Sequence, residues 1–238
     1  MVRIPAGSFR MGSPPDELYR CSDDDETQHD VTLTRPFLLC RTPVTRAEYL
    51  AVAGEDPSHY IDGSRDCPVE TVSWYDTVRF CNKLSELDGL EPCYSGDEER
   101  GFRWDRAASG YRLPTESEWE YACRAGSPGP RYGPLDKIAW HKENSSGSPH
   151  PVGRKAPNAW GLHDMLGNVL EWCWDYEGDY PPGPVEDPVG PDSGEGRILR
   201  GGSHGLSNLG FFRASQRLMK EADGRISFGG VRCVRWSS

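Results

Sequence analysis

The chain has 238 residues, of which 27 are Gly and 20 are Pro, and its formal net charge is −10. This length can bury a substantial core, while the Gly and Pro content predicts many turns and little regular structure. The excess of acid disfavours a nucleic-acid partner, because neutralising phosphates requires a basic face. The sequence shows neither an apolar run of roughly 18 residues nor a signal-peptide pattern, so we expect a cytoplasmic protein without membrane insertion.

Short strands are predicted near the N-terminus, at SFRMG and at VTLTRPFLL around residues 31–39. The acidic run DDDE (23–26) lies between them. Such a run is typical of a solvated loop, with cation coordination as the alternative.

Three helices are predicted by capping boxes, in which a hydroxyl residue is followed three positions later by an acid. The pairs are Thr45 with Glu48, Ser73 with Asp76, and Thr115 with Glu118. Gly54 and Gly126 are expected to end the first and third helices. Apolar residues recur at spacings of three and four in the second helix and predict a core-facing side: Trp74, Val78, Cys81 and Leu84.

The eight cysteines form no CxxC pair, which argues against a zinc knuckle or a thioredoxin-like motif. Free thiols are expected, with a few disulfides as the alternative. Cys81 and Cys123 fall inside predicted helices, where a cysteine commonly acts as a small buried apolar residue.

The segment GLHDMLGNVLEW (161–172) has the composition of a calcium loop. Asp164 and Glu171 supply anionic oxygens, and Gly167 allows a tight turn that can direct the carbonyls of Met165, Gly167 and Val169 inward. Hard oxygen ligands of this kind suit calcium. The alternative is that the two acids accept backbone hydrogen bonds in a buried loop.

The C-terminal part begins with residues 176–196, whose Pro, Gly and acid content predicts a surface loop. Strands are predicted after it, at ILRGG and at VRCVRW. These strands would bring the two termini close together.

Two irregular patches, HGLSNLGFF (204–212) and GRISFGG (224–230), lie among arginines that we expect to hold loop carbonyls: Arg200, Arg213, Arg217 and Arg232. Apolar residues without a regular period predict an exposed contact patch, and burial of alternate residues is the alternative. The candidate ligand-binding residues are His204, Gly205, Leu206, Asn208, Gly210, Phe211, Phe212, Gly224, Ile226, Ser227 and Phe228.

Seven segments in order resemble the formylglycine-generating enzyme (sulfatase-modifying factor) family: MVRIPAGSFRMGS, CRTPVTRAEYL, CPVETVSWYDTVRFCNKLS, YRLPTESEWEYACRAG, NAWGLHDMLGNVLEWCWD, RILRGGS and GGVRCVR. The resemblance implies a single α+β domain over residues 1–238 with a C-type-lectin-like fold, which is loop-rich with few helices around small antiparallel sheets. It also implies a structural calcium loop that matches at Asp164, Met165, Gly167 and Val169, with Glu171 adjacent.

The catalytic thiols of that family are missing. In the family, RGGS is followed by a cysteine after two residues and by a second cysteine five positions later, and this pair binds copper. The same offsets in this chain give Leu206 and Phe211. Carbon side chains cannot replace soft thiolates, so we expect no copper and no enzymatic activity.

The C-terminal region, about 200–235, resembles that of the variable proteins of diversity-generating retroelements, which display a variable binding surface on a lectin-like fold. The resemblance implies a non-catalytic, monomeric protein that binds a protein or peptide ligand. Two alternatives remain open: a fixed-sequence accessory or sensory domain of the family, and an enzyme of the family with a divergent site.

Overall fold

The computed structural model describes residues 1–20 and 26–237. Within these ranges the chain forms four small sheets and four α-helices connected by loops. The α+β, loop-rich, C-type-lectin-like fold implied by the sequence is therefore confirmed. Cys21 and residues 23–25 of the acidic run lie outside the described residues. No helix in the described ranges is long and apolar enough to cross a membrane.

Three of the helices begin where the capping boxes predict, and the fourth was not predicted and has no side-chain cap. The helices are α1 (Arg46–Ala53), α2 (Trp74–Leu87), α3 (Glu116–Arg124) and α4 (Leu135–Ile138), and the first three have complete capping boxes. Gly54 ends α1 in a left-handed conformation. At the end of α3, the left-handed cap is Ala125, one residue before the predicted Gly126.

The strands are short. In chain order they are β1 (Val2–Ile4), β2 (Gly7–Met11), β3 (His29–Leu33), β4 (Phe37–Leu39), β5 (Tyr94–Asp97), β6 (Gly101–Trp104), β7 (Leu170–Tyr176), β8 (Val185–Glu186), β9 (Arg197–Arg200), β10 (Arg217–Lys220), β11 (Gly229–Gly230) and β12 (Val234–Trp236). β1 and β12 pair with opposite edges of β4, so the termini are close together as predicted.

Two pairings differ from the expected antiparallel pattern. β8 pairs with β3, and β11 pairs with β7, in parallel. A hairpin turn can connect only antiparallel neighbours, so the strands of each parallel pair are joined by a longer connection. The rest of the β7 sheet is antiparallel, in the order β10, β9, β7, β11.

The core contains two clusters of buried apolar residues. Trp119 of α3 lies in one, which we call the α3 core cluster, and Trp74 of α2 lies in the other, the α2 core cluster. On the predicted apolar side of α2, Trp74, Val78 and Cys81 are fully buried, and Leu84 is half-buried. The seven described cysteines are free, and the sulfurs of Cys81 and Cys233 lie 3.8 Å apart.

Candidate ligand-binding surface and calcium loop

Arg213 anchors the first C-terminal patch from inside the protein. Its two terminal nitrogens bind the carboxylate of Glu26 at 2.6 and 2.7 Å, and its Nε donates to the Gly210 carbonyl oxygen. Both charged side chains are fully buried. Burial alone would raise the pKa of Glu26, but the hydrogen bonds and charge of Arg213 lower it. The prediction of a solvated acidic loop is therefore wrong for Glu26.

Arg200 and Arg217 form a second anchor on α3. Arg200 binds Glu116 at 2.9 Å and Glu120 at 2.5 Å, and it donates to the Ala214 carbonyl oxygen. Arg217 binds Glu116 at 2.7 Å. The guanidinium groups thus hold loop carbonyls, as the sequence predicted, and they also bind carboxylates, which it did not predict.

Arg232 forms the third anchor and shows the same pattern. It binds Glu171 at 2.7 Å and donates to the carbonyl oxygens of Cys40 and His163, each at 2.9 Å. The Trp119 indole N–H also donates to Glu171, at 2.7 Å. These bonds join the segment between β11 and β12 to β7, to α3 and to the loop that contains His163.

His204 is buried, so the expectation that it is exposed to a ligand is wrong. Its backbone N–H and its ring Nδ1–H both donate to the Asn168 carbonyl oxygen, at 2.8 and 2.9 Å. The ring of Tyr60 packs edge-on against the imidazole, with ring centroids 5.1 Å apart. Burial lowers the pKa of His204. The buried His204 side chain therefore stabilises the first C-terminal patch from inside the protein.

Gly210 and Phe212 are also buried and are not accessible to a ligand. A side chain at Gly210 would come within 2.9 Å of the Tyr19 carbonyl oxygen, so Tyr19 covers this position. Phe212 packs into the α3 core cluster. A Cβ atom at Gly202, whose φ is +73°, would lie 2.8 Å from this ring, so the glycine leaves room for it. Gly210 and Phe212 are thus buried on either side of half-buried Phe211, as the alternative of alternate burial predicts, but they lie in a 3-10 helix (Leu209–Phe212) and not in a strand.

The remaining candidate residues reach solvent and define what we call the C-terminal contact surface: Gly205, Leu206, Asn208, Phe211, Gly224, Ile226, Ser227 and Phe228. Gly205 and Asn208 are exposed, and the other six are half-buried. Leu206 and Phe211 pack against the α3 core cluster, whereas Ile226 and Phe228 pack against the α2 core cluster. Each apolar side chain therefore combines one buried side with one accessible side.

The two patches are brought together by a short stretch of backbone. Asn168 accepts the hydrogen bonds of His204, and two residues later the Leu170 N–H donates to the Phe228 carbonyl oxygen at 2.7 Å. The Thr71 N–H also donates to the Ile226 carbonyl oxygen. Both patches thus hydrogen-bond to the same short stretch of backbone, residues 168–170.

Sequence reasoning missed the residues that support this surface from other segments. Arg131 donates to the carbonyl oxygens of Leu209 and Phe212, at 2.6 and 2.9 Å. Tyr60 and Tyr19 contact the first patch through His204 and Gly210. None of these residues lies in a recognisable motif, so only their spatial contacts identify them.

The predicted calcium loop is a tight turn with one incompletely bonded acid. Asp164, Gly167 and Asn168 all have positive φ, and a side chain at Gly167 would approach the Trp140 carbonyl oxygen to 2.5 Å. The Gly153 N–H donates to Asp164 Oδ2 at 2.7 Å, while Oδ1 is buried without a hydrogen-bond partner. Burial raises the pKa of Asp164. A buried oxygen without a hydrogen-bond partner has a lone pair that could bind a cation.

Glu171 fits the calcium loop less well. Its two oxygens bind Arg232 and Trp119, so a cation already neutralises this carboxylate. Within the described residues, no group of three or more His, Cys, Asp or Glu side chains is placed to hold a metal. Calcium at this loop would therefore depend on Asp164 and on backbone carbonyls.

Small sheets and buried arginines thus hold two loop patches, both of which hydrogen-bond to the backbone of residues 168–170. The family model for the sulfatase-modifying factor enzyme 1-like domain matches residues 1–237, and the chain belongs to this family. It is 31% identical over 280 residues to the formylglycine-generating enzyme of Streptomyces coelicolor, with coverage of 98% of this chain and 88% of the enzyme.

Two solved structures share the whole fold. Treponema denticola variable protein 1 superposes with a TM-score of 0.88 at 32% identity and covers 100% of this chain and 95% of its own. PvdO from Pseudomonas aeruginosa superposes with a TM-score of 0.82 at 30% identity, covering 99% of this chain and 93% of its own. The first likeness confirms the resemblance to variable proteins.

Proposed function

We propose that this protein is a non-catalytic binding protein that uses the C-terminal contact surface to hold a protein or peptide ligand. The observation that carries the proposal is the chemistry of Leu206 and Phe211, which stand where the family's thiol pair is expected. Both side chains pack against the α3 core cluster. Neither provides a ligand for monovalent copper, which prefers soft sulfur.

The composition of the surface supports a macromolecular ligand. Leu206, Phe211, Ile226 and Phe228 each present part of an apolar side chain on a well-anchored backbone. Apolar and aromatic groups at the centre of a patch contribute most of the binding energy in protein interfaces. Exposed Asn208 and half-buried Ser227 add polar groups to the patch, which is the usual anatomy of such interfaces.

Copper binding and peptide oxidation test the catalytic part of the proposal. The purified protein is expected to leave monovalent copper with a competing chelator and to leave the cysteine of a CxPxR peptide unchanged. A double variant, Leu206→Cys with Phe211→Cys, is the matched control, because it restores thiols at both positions. Thiol-dependent copper binding with peptide turnover by the unaltered chain would overturn the proposal.

We further propose that the patches are diversified by a retroelement. The coding DNA around the gene tests this: an imperfect repeat of the segment for residues 197–235, with adenines at the codons of the contact surface, is the expected result. Absence of any such repeat would favour the fixed-sequence accessory domain. The burial of His204, Gly210 and Phe212 favours the fixed-sequence accessory domain at these three positions, because core positions tolerate few substitutions.

We also propose that the 164–169 loop holds a structural calcium ion. Asp164 Oδ1 and the carbonyls of Met165, Gly167 and Val169 are the ligands we propose, and Glu171 is left out because Arg232 occupies it. A calcium ion would compensate the buried Asp164 carboxylate, whose pKa burial raises. The calcium ion would stabilise the protein, because a ligand that binds the folded state and not the unfolded chain favours folding.

A further inference from the structure

A cavity of about 330 Å³ lies away from the C-terminal contact surface and shares no residue with it. It is enclosed by the N-terminal end of α3, by β10 and by the loop that follows β7. The wall is mainly apolar and aromatic, formed by Met11, Tyr180, Pro181, Pro188, Val189 and Pro191. This volume falls within the range of small-molecule sites.

Two acids line the cavity, and their surroundings differ. Glu116 binds Arg200 at 2.9 Å and Arg217 at 2.7 Å, and it accepts a hydrogen bond from the Tyr180 hydroxyl at 3.2 Å. Burial alone would raise the pKa of Glu116, but Arg217 and Arg200 lower it. Glu116 is thus a fully compensated carboxylate.

Asp175 has no comparable compensation. Its Oδ2 accepts a hydrogen bond from the Glu116 N–H at 2.8 Å, and among the described residues it forms no ion pair. Only 4% of its surface is exposed. Burial, together with the nearby Glu116 carboxylate, raises the pKa of Asp175 to about 8. The cavity therefore contains a buried acid whose pKa the charge of Arg217 lowers only in part and which, among the described residues, forms no salt bridge.

We propose that this cavity binds a small primary amine with a short apolar body, with its ammonium group paired to Asp175. An ammonium ion supplies the positive charge that this acid lacks, and the apolar wall accommodates the hydrocarbon part. An anionic ligand is disfavoured because the cationic Arg217 of the lining is already paired with Glu116, while exposed Asp179 and ionised Asp175 would repel it. The proposal does not depend on the proposed function.

Binding of an ammonium ion requires Asp175 to ionise. Below about pH 8 its proton passes to the buffer when the amine binds. The affinity is therefore expected to rise between pH 6 and pH 8. The other titratable and charged groups that line the cavity are Glu116 of α3, His29 of β3, Arg217 of β10, and Tyr176, Asp179 and Tyr180 of β7 and its loop.

The probe is 3-methylbutylamine, and 3-methylbutanol and 3-methylbutanoate are matched controls with the same carbon skeleton. Isothermal titration at pH 8 is expected to show binding of the amine alone. At pH 6.5, repeating the titration in two buffers of different ionisation enthalpy should reveal the release of a proton. Asp175→Asn should weaken amine binding by about tenfold or more, since a charge-assisted bond is lost. Asp192→Asn, which changes an exposed acid in the loop after β7, is the control and should leave the affinity unchanged.

Val189→Trp is a second test that leaves Asp175 intact and fills the cavity. It is expected to abolish amine binding while the melting temperature shows that the protein is folded. Equal affinity for the amine and the alcohol, unchanged binding by Asp175→Asn, or no binding to the folded wild type at millimolar amine would each overturn the proposal.

Discussion

At the scale of single residues, the buried arginines explain how a chain with little regular structure keeps its loops in place. Arg213 has no exposed surface, and it meets Glu26 across 187 residues of sequence. Removal of one partner from a buried pair leaves the other charge without compensation, which costs more than the pair itself contributes. The three anchors are thus sensitive positions although none lies in the apolar core clusters.

Arg213→Ala is expected to reduce the free energy of unfolding by about 3–5 kcal/mol, because Glu26 would remain buried and unpaired. Chemical denaturation measures this loss. Arg10→Ala is the matched control: Arg10 and Asp30 form an exposed pair at 3.9 Å, and its loss should cost less than about 1 kcal/mol. Equal losses in both variants would show that Arg213 is not an anchor.

Asp175 makes the stability of the protein depend on pH. Between about pH 3.9, the ordinary pKa of aspartate, and about pH 8 the folded protein retains a proton that the unfolded chain releases. Stability is therefore lost as the pH rises through this window. Asp175→Asn removes this dependence, so its stability relative to the wild type should increase from pH 5 to pH 8. Urea unfolding measures it, and a difference that stays constant with pH would contradict the assignment.

At the scale of elements, the three capped helices followed from local sequence because a capping box needs only residues three positions apart. In α2, the Ser73 hydroxyl accepts a hydrogen bond from the Asp76 N–H at 3.1 Å, and Asp76 accepts one from the Ser73 N–H at 2.9 Å. β8 and β11 were not predictable, since two-residue strands have no periodicity. Their direction is set by distant partners.

Ser73→Ala is expected to reduce the free energy of unfolding by about 1 kcal/mol, because the first turn of α2 loses its side-chain cap. Thermal or urea unfolding provides the measurement. Ser95→Ala, an exposed position in β5, is the control and should change stability by less than about 0.5 kcal/mol. If the two variants behave alike, the capping box contributes nothing to the fold.

At the scale of the whole molecule, the 164–169 loop connects segments that are distant in sequence. The Gly153 N–H binds Asp164, the Gly167 N–H donates to the Gly201 carbonyl oxygen, and Asn168 holds His204. The loop therefore supports the β7 sheet and the C-terminal contact surface together. Any ion in this loop would stabilise both.

Calcium removal is expected to lower the melting temperature of the wild type, since binding at a free concentration of 100 times the dissociation constant contributes about 2.7 kcal/mol. Asp164→Ala should melt lower and no longer respond to the chelator. Asp66→Ala, which changes an exposed acid, should keep the response of the wild type. A melting temperature that no chelator alters in the wild type would mean that the loop folds without calcium.

The sequence alone determined the family, the loop-rich α+β fold and the three capped helices, because these depend on contiguous motifs and local hydrogen bonds. Strand patterns near both ends also predicted that the termini are close together, although the pairing that joins them is long-range. It also indicated that arginines hold the C-terminal loops. Only the tertiary structure decided which patch residues are accessible. His204 and Phe212 are buried by contacts with Tyr60, Asn168 and Gly202. Burial depends on what the rest of the chain places nearby, and no local pattern encodes that.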